Sequence, residues 1–450
     1  MNKIDFLNDL NERQSEAVTT PSQYVRIVAG AGSGKTRVLT YRIAYLLKEM
    51  QVVPWKILAF TFTNKVAKEM ATRIIRMVPE VSSDLTIKTF HSFAAMFLRH
   101  EISVIGYPSN FTILDEEDQT KLIKDIAASL EYRKTDPIVK KAMNYIGSKK
   151  LEALYPEDIE IKKEAYADER VCHQIYTLYE EAKQRMLALD FDDLLLKTND
   201  ILANYDLIRE KWQNRFDHIL IDEFQDTNNI EYRMVNLLKK SSTSLYVVGD
   251  PDQTIYTWRG ANQDIILNLL KQYPTMETIV LDRNYRSTQS ILDAANKLIS
   301  FNKFRVPKNL YTKNNKGEPI TIKSCTSSRQ EADYVARTIK RLHEVNRRPY
   351  SDLVVLYRSS YVTQEFEQAF ALYNIPYRIY GGLKFYQRRE IKDLLAYFRI
   401  ISNPKDDISF ERIINVPKRN IGETSINYYK AEAIEKGMPL YEYVKSIKPE

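Results

Sequence analysis

A glycine-rich stretch near the N-terminus has the residue types that bind a chain of phosphates. Residues 29–36 read AGAGSGKT, which fits the P-loop pattern, with Ala29 where the strict pattern has glycine. Glycines let the backbone approach phosphate oxygens closely and direct N–H groups toward them. Lys35 would reach the β- and γ-phosphates, and the hydroxyl of Thr36 would bind Mg²⁺. We therefore predict a nucleoside-triphosphate site at Ala29, Gly30, Ala31, Gly32, Ser33, Gly34, Lys35 and Thr36.

A second stretch, ILIDEFQDT at 219–227, has two adjacent carboxylates after an apolar run. Asp222 would add a second ligand to Mg²⁺, and Glu223 could orient or deprotonate an attacking water. Adjacent acids at the end of a strand are also common in solvated turns, but a P-loop upstream favours hydrolysis. A kinase or a GTPase is the alternative within this class. The segment TNKV at 63–66 lacks the acid of a guanine-reading motif, which argues against a GTPase.

The third stretch, GDPDQTIYTWRG at 249–260, combines two kinds of side chain. Its first half suits a charged ligand that carries a metal ion, because it offers Asp250, Asp252 and Gln253. Its second half suits a flat, anionic ligand, because it offers Tyr256, Trp258 and Arg259. Aromatic rings also fill protein cores, and that alternative stays open for the tyrosine and the tryptophan.

Alternating strands and helices position these residues. Apolar runs predict strands at 24–29, 57–62, 218–223 and 244–250. Apolar residues at helical spacing predict helices at 36–48 and from about residue 65 onward. Strands that alternate with helices indicate an α/β fold with a parallel sheet.

Other parts of the chain predict further domains. Residues 91–210 are charged, poor in glycine and helical in pattern, which indicates an inserted helical domain. Later strand-like runs, interleaved with helical stretches, indicate a second α/β domain; they lie at 277–282, 319–324 and 353–358. From about residue 381 the pattern is mainly helical again.

The composition is that of a globular protein of several domains. The chain has 450 residues, of which 44% are hydrophobic and 28% are charged. No apolar run is long enough for a membrane span, and the polar start MNKIDFLNDLNERQ lacks a signal region, so we expect a cytoplasmic protein without a membrane partner. Two cysteines make no disulfide framework, and no His/Cys spacing indicates zinc. The net charge of +7 and the 30 tyrosines favour a nucleic-acid partner. The basic, turn-rich stretch 301–320 is interpreted as a solvated loop.

Taken in order, these motifs resemble those of the UvrD/Rep/PcrA-like superfamily 1 DNA helicases through essentially the whole chain. Each motif alone is moderately specific, whereas all of them in order are very specific. The matching stretches are LNERQSEAV (10–18), AGAGSGKTR (29–37), AFTFTNKVAKEM (59–70), TFHSF (89–93), LDFDDLL (189–195), DEFQDTN (222–228), VVGDPDQTIYTWRGA (247–261), LDRNYRS (281–287) and YRIYGGLKFYQRREIKD (377–393).

The resemblance implies an ATP-dependent helicase or translocase that moves 3′ to 5′ on single-stranded DNA and also meets junctions between single and double strands. ATP would lie in a cleft between two RecA-like P-loop domains with parallel sheets. The first would be formed by 1–90 and 211–280, and the second by 281–380. Helical subdomains would be inserted at 91–210 and 381–450.

The resemblance also assigns roles to individual residues. Gln14 and Tyr285 would contact the adenine, and Arg37 belongs to the phosphate-binding motif. The catalytic residues would be Lys35, Glu223, Gln253 and Arg286, with Mg²⁺ held by Thr36 and Asp222. The DNA path would be lined by Phe62, Asn64, Phe90, His91, Tyr256, Trp258, Arg259 and Arg358. For the two phenylalanines, packing in the core is an open alternative.

Two features depart from the family pattern. A GIG turn of the family reads RNIGETS at 419–425, and Asn420 at its first position tolerates the left-handed backbone that the turn needs. The chain ends at Glu450, before the family's motifs V and VI, so we expect a C-terminally truncated form with an incomplete second RecA-like domain.

Two other functions stay open. One is a nucleotide-dependent single-stranded DNA-binding or sensor module without unwinding activity, and the other is a P-loop ATPase that acts on proteins or small molecules. DNA repair, replication and recombination are all open as the pathway, with repair or replication proteins as possible partners.

Overall fold

The computed structural model describes residues 5–80, 84–161, 166–303, 305–380 and 389–447. The chain forms two compact units. The first unit consists of residues 1–317 and 395–450, and the second consists of residues 318–394. The P-loop, the acid pair and the stretch 249–260 all belong to the first unit.

Short strands and many helices make up the described chain, which confirms the mixed α/β class. The strands are β1 (Tyr24–Ala29), β2 (Ile57–Phe60), β3 (Thr86–Lys88), β4 (Thr112–Ile113), β5 (Ala188–Leu189), β6 (His218–Ile221), β7 (Ser244–Gly249), β8 (Glu277–Leu281), β9 (Arg283–Asn284) and β10 (Tyr311–Thr312). The helices are α1 (Glu12–Thr19), α2 (Lys35–Lys48), α3 (Asn64–Met77), α4 (Phe90–Glu101), α5 (Glu116–Ser129), α6 (Pro137–Leu151), α7 (Ala167–Arg185), α8 (Phe191–Asn204), α9 (Asp206–Arg215), α10 (Asn229–Leu238), α11 (Gln263–Gln272), α12 (Gln289–Ile299), α13 (Ser328–Glu344), α14 (Thr363–Leu372), α15 (Arg389–Ser402), α16 (Asp407–Ile413), α17 (Glu423–Glu435) and α18 (Leu440–Ser446).

A six-stranded sheet in the order β3-β2-β6-β7-β1-β8 lies at the centre of the first unit. Every pairing in it is parallel. The carboxyl ends of parallel strands meet at one edge, so the segments that follow β1, β2, β6 and β7 are neighbours there. This is the physical reason that the P-loop, the acid pair and the stretch 249–260 come together, as expected of a RecA-like fold.

Helices cover both faces of this sheet, which explains the nearly continuous apolar strands. Along β2, Leu58 and Phe60 join a core with residues of α4, α8 and α10, whereas Ile57 and Ala59 join a core with residues of α1, α2 and α3. Successive strand residues point to opposite faces, so one strand contributes to both cores.

The four strands predicted around the P-loop and the acid pair are confirmed, with ends that differ by up to two residues. The run at 277–282 also forms a strand, β8, but it pairs with β1 in the first sheet and not in a second sheet. The strands predicted at 319–324 and 353–358 are wrong, because the structure gives both segments a non-strand conformation. A β-prone segment forms a strand only when a neighbour completes its backbone hydrogen bonds, and neither segment has one among the described residues.

The segment 91–210, predicted to be an inserted helical domain, is mainly helical in the structure. It contains α4 to α9 and one short parallel pair, β4 with β5. The residues of α5, α6 and α7 form a separate apolar core that includes Ile123, Ala142, Ile175 and Tyr176.

The helical pattern predicted beyond residue 381 is confirmed for 389–447, where α15 to α18 lie. Asn420 has φ +59°, so the predicted left-handed turn is present. Residues 381–388 of the stretch at 377–393 lie outside the described residues. In the second unit, α13 packs on α14 through Ala332, Ala336 and Phe370. Among the described residues, no helix is long and apolar enough to cross a membrane.

Candidate nucleotide and nucleic-acid site

The P-loop runs from the end of β1 to the start of α2 at the carboxyl edge of the sheet. Gly34 precedes the first turn of α2, and no side chain caps the N–H groups there. Uncapped N–H groups and the positive end of the helix dipole make this turn a site for an anion. Ser33 is buried and its hydroxyl donates to the carbonyl of Gly30 at 2.8 Å, which stabilises the loop from within.

Close packing against the loop requires glycine at position 32. Its φ of +66° is left-handed, and a Cβ there would lie 2.5 Å from Nδ2 of Asn284. That amide donates to the carbonyl of Ala31 at 2.6 Å, and the N–H of Tyr285 donates to the carbonyl of Gly32 at 2.9 Å. The segment after β8 is therefore attached directly to the P-loop.

The two residues predicted to hold a metal ion are adjacent. The hydroxyl of Thr36 donates to Oδ2 of Asp222 at 3.0 Å. Burial, and then the neighbouring carboxylate of Glu223, raise the pKa of Asp222 to about 6. A hydroxyl and a buried carboxylate are hard oxygen ligands, so this pair has the chemistry that suits Mg²⁺ together with phosphate oxygens.

Lys35 lies between two residues of the predicted catalytic set. Its Nζ is 3.1 Å from Oε2 of Glu223 and donates to Oε1 of Gln253 at 3.1 Å. Its side chain is only 10% exposed, so these contacts are weakly screened. Glu223 itself has φ +49°, a conformation that costs energy in a residue other than glycine and is typical of functional sites.

The predicted adenine-contacting residues are connected through the start of α1. The amide of Gln14 donates to the carbonyl of Ser33 at 2.9 Å and caps α1 with Asn11. Nδ2 of Asn11 donates to the hydroxyl of Tyr285 at 2.5 Å, and this tyrosine is 43% exposed. The guanidinium of Arg37 donates to the carbonyl of Asp9 at 3.0 Å.

Arg286 is exposed beside the P-loop. Its N–H donates to Oδ1 of Asn284 at 2.8 Å, which fixes its backbone. Its Cβ is close to the loop, because a Cβ added at Gly32 would lie only 2.8 Å from it. Its guanidinium has no protein partner within the described part of the chain, so a free cation lies next to the phosphate-binding loop.

An aromatic patch lies at the same edge of the sheet, and we define it as Phe62, Tyr256, Trp258 and Arg259. The rings of Phe62 and Tyr256 are 4.6 Å apart, and those of Tyr256 and Trp258 are 6.2 Å apart. The guanidinium of Arg259 lies 4.7 Å from the centre of the Trp258 ring. Phe62 is 41% exposed and Trp258 is 63% exposed. Phe62 and Trp258 are too exposed to be core residues, and exposed rings beside an arginine suit stacking on a flat ligand such as a nucleic-acid base.

The two phenylalanines for which the sequence left the role open differ in the structure. Phe62 belongs to the aromatic patch, whereas Phe90 is buried and its ring stacks on Phe60 at 4.2 Å. The burial of Phe90 favours the alternative that this residue packs in the core, and its place on a DNA path stays a prediction. Asn64 is exposed and its Oδ1 accepts from the hydroxyl of Ser92 at 2.8 Å.

His91 lies next to the patch, together with an aromatic residue that the sequence analysis missed. Burial, and then the charge of Arg259, lower the pKa of His91, so the imidazole is neutral near pH 7. The ring of Phe191 is 6.3 Å from that of His91 and is 50% exposed. The sequence feature that could have indicated Phe191 is an aromatic residue between acids, in LDFDD, at the start of a helix.

A buried group of charges anchors the start of α8, where Phe191 lies. Nζ of Lys150 is 2.6 Å from both Asp190 and Asp193, and Lys183 pairs with the same two carboxylates. Glu180 also contacts both lysines. The two ammonium groups are shared among three carboxylates, and these ion pairs hold the N-terminal turn of α8 to α6 and α7.

Hydrogen bonds connect the acid pair with the stretch 249–260. Nε2 of Gln225 donates to Glu223 at 3.0 Å and to Asp226 at 3.1 Å, and its Oε1 accepts from the N–H of Asp250 at 2.9 Å. The N–H of Ile255 donates to Asp226 at 3.4 Å. Gln225 is buried, and the sequence analysis did not single it out.

Arg358, the remaining residue of the predicted DNA path, is exposed in the second unit. Its assignment stays a prediction.

The chain is similar to known proteins over nearly its whole length. Residues 10–274 match the UvrD/REP helicase N-terminal domain, and residues 279–450 match the UvrD-like helicase C-terminal domain. It is 43% identical over 422 residues to a protein of Leuconostoc citreum named ATP-dependent DNA helicase PcrA, a match that covers 93% of this chain and 56% of that one. It is also 43% identical over 439 residues to the protein of the same name from Staphylococcus aureus strain Mu50, covering 97% of this chain and 60% of that one. The chain thus spans well under two thirds of the length of these relatives.

Proposed function

This chain belongs to the UvrD/REP helicase family, and we propose that it is an ATP-driven motor that moves 3′ to 5′ on single-stranded DNA. The observation that carries the proposal is the connection made by residues 249–260. Gln253 contacts Lys35 of the P-loop at 3.1 Å, and three to six residues later the same stretch supplies the exposed part of the aromatic patch. A change at the nucleotide site can therefore act on the grip on a nucleic-acid strand through one short segment.

The nucleotide would be ATP with Mg²⁺. The uncapped turn of α2 and Lys35 would bind the phosphates, and Thr36 with Asp222 would hold the metal ion. Glu223 is close enough to Lys35 to lie beside a γ-phosphate, where it would orient and deprotonate water. Arg286 and Gln253 would add a cation and an amide to the same phosphate.

The nucleic acid would be single-stranded DNA bound without sequence preference. Rings stack on any base, and Arg259 and Asn64 contact backbone groups, so neither reads sequence. The UvrD/REP helicase and UvrD-like matches favour DNA, as do the names of the two relatives. Junctions between single and double strands, and repair or replication proteins, are further partners in this proposal.

The domain division is also part of the proposal. The first RecA-like domain would comprise 1–90 and 211–280, and its strands all belong to the six-stranded sheet. Within the proposed helical subdomain at 91–210, residues of α5, α6 and α7 share an apolar core separate from those of the sheet, to which Ile408 of α16 also contributes. The second RecA-like domain at 281–380 and the second insertion at 381–450 correspond to the C-terminal match.

The test is ATP hydrolysis by this chain with and without single-stranded DNA, for wild type and for Glu223→Gln. We expect DNA to stimulate wild-type turnover. The variant should bind ATP normally and hydrolyse it about 100-fold more slowly or worse, because only the general base is lost. Glu12→Gln, an exposed carboxylate on α1, is the control and should behave as wild type.

Wild-type turnover in Glu223→Gln would contradict the role of this residue. Binding of both ligands by wild type without any DNA-stimulated turnover would favour the nucleotide-dependent sensor module instead.

A further inference from the structure

Part of the basic stretch 301–320 is buried, contrary to its interpretation as a solvated loop. Nζ of Lys308 is 2.6 Å from Oδ1 of Asp250 and also pairs with Asp252. Arg305 lies 3.3 Å from Asp252. The side chains of Lys308 and of both acids are at most 4% exposed. Lys308 is thus the buried counter-ion of the two carboxylates that follow β7.

These contacts continue to the P-loop. Oδ1 of Asp250 forms an ion pair with Lys308, while Oδ2 of Asp250 accepts a hydrogen bond from Nε2 of Gln253. That leaves Oε1 of Gln253 to face Nζ of Lys35, from which it accepts at 3.1 Å. The orientation of the Gln253 amide is therefore determined by an aspartate whose charge Lys308 compensates.

The same short segment also covers the P-loop. Leu310 lies so close to Gly30 that any Cβ at that position would clash with its side chain. Leu310 is fixed by Asn296, whose Nδ2 donates to its carbonyl at 2.8 Å and whose Oδ1 accepts from its N–H at 3.1 Å. Residues 305–310 therefore contact both the P-loop and the segment after β7.

We infer that Lys308 is a positioning residue for the nucleotide reaction: it holds Asp250, and through it the Gln253 amide, in the orientation that recognises the terminal phosphate of a nucleoside triphosphate. This inference rests on the proposed function, because it takes the ligand to be a nucleotide with a γ-phosphate. Lys308 itself acts through Asp250 and contacts neither Lys35 nor the P-loop.

Loss of the ammonium group has a defined electrostatic consequence. Lys308→Met would leave the buried carboxylate of Asp250 without its counter-ion, whereas Asp252 would keep Arg305. The Gln253 amide would then lose its fixed acceptor geometry. A triphosphate carries more charge than a diphosphate and contacts the amide through its last phosphate. The variant should therefore bind a triphosphate more weakly while its affinity for ADP changes little.

The experiment measures, for this chain, the affinities for a non-hydrolysable ATP analogue and for ADP, both with Mg²⁺. In Lys308→Met the ratio of the two affinities should fall about tenfold or more, the worth of one hydrogen bond to a charged group. Adding Asp250→Asn should restore most of the ratio, since the asparagine is uncharged and its Oδ1 can still accept from Gln253. Lys56→Met is the matched control, because Lys56 pairs with Asp217 and these two residues precede β2 and β6, at the edge of the sheet opposite the P-loop. Its ratio should stay within about twofold of wild type.

An unchanged ratio in Lys308→Met overturns the inference, and so does an equal loss of both nucleotides, which would mark a purely structural residue. If Lys308→Met does not fold, the double variant decides: a folded double variant without the wild-type ratio also overturns the inference. Failure of wild type to bind either nucleotide would instead count against the proposed function.

Discussion

Replacing Trp258 with alanine should weaken the binding of single-stranded DNA without weakening the binding of ATP. Trp258 is 63% exposed, so the indole contributes little to the core. The guanidinium of Arg259 is 4.7 Å from the centre of the indole ring, and the ring of Tyr256 is 6.2 Å from it. Stacking of one base on an aromatic side chain contributes about 1–3 kcal/mol. The dissociation constant should therefore rise about 5- to 150-fold.

The assay is fluorescence anisotropy with a labelled oligothymidine at fixed salt, because phosphate contacts make DNA affinity depend on salt. Trp55→Ala is the matched control. Trp55 is 49% exposed but precedes β2, whereas Phe62 of the patch follows β2, so the two sites lie at opposite edges of the sheet. The control should bind DNA within about twofold of wild type, since no patch residue is lost.

Affinity for a non-hydrolysable ATP analogue, measured without DNA, should be unchanged in both variants. A change below twofold in DNA affinity for Trp258→Ala would refute the assignment of the patch. An equal loss in the Trp55 variant would show that the effect is not specific to the patch.

Three further predictions concern charges. Lys35→Ala should weaken binding of Mg·ATP about 100-fold or more, because the P-loop loses its charged donor; calorimetry showing normal affinity would contradict this. Lys150→Met should lower the free energy of unfolding by about 3–5 kcal/mol in urea titrations, since it leaves three carboxylates to share the one ammonium group of Lys183. Lys149→Met, which loses a bridge to the exposed Glu152 and a contact with the Tyr145 ring, should cost about 1 kcal/mol or less. Burial raises the pKa of Glu231 to about 7 in the folded protein, above its ordinary value of 4.5, so its ionisation costs stability as pH rises through this window. Glu231→Gln should therefore match wild type at pH 4 and be more stable at pH 8, and equal stabilities at both values would refute the assignment.

Local sequence patterns predicted those parts of the site whose residues are close together in the sequence. The P-loop, the acid pair and their strands could be found because glycine spacing and apolar runs specify a strand, a turn and a helix within a few residues. The parallel sheet then brought the strand ends together without further information. Long-range contacts could not be found in this way: Lys308 and Asp250 are 58 positions apart in the sequence, and no local feature marks them as partners.

Two pairs of similar segments show what local patterns leave open. Phe62 and Phe90 each have a threonine as a sequence neighbour. Phe62 follows the end of β2 and is exposed, whereas Phe90 begins α4 and is buried. The runs at 277–282 and 353–358 are both β-prone, but only the first meets a neighbouring strand, β1. In each pair the outcome depends on which surface a distant part of the chain supplies.

The contacts of Lys35 give a physical route from phosphate to DNA under the proposed function. The ammonium group of Lys35 forms an ion pair with Glu223 and donates a hydrogen bond to Gln253. Phosphate oxygens at the P-loop compete for the same ammonium, because they carry more charge than an amide oxygen does. A Gln253 side chain that leaves Lys35 is still tied to Asp250, and Asp250 is tied through Gln225 and Asp226 to the N–H of Ile255. The residue after Ile255 is Tyr256 of the aromatic patch. A movement of the Gln253 side chain when phosphate binds must therefore either move the patch through these hydrogen bonds or break one of them.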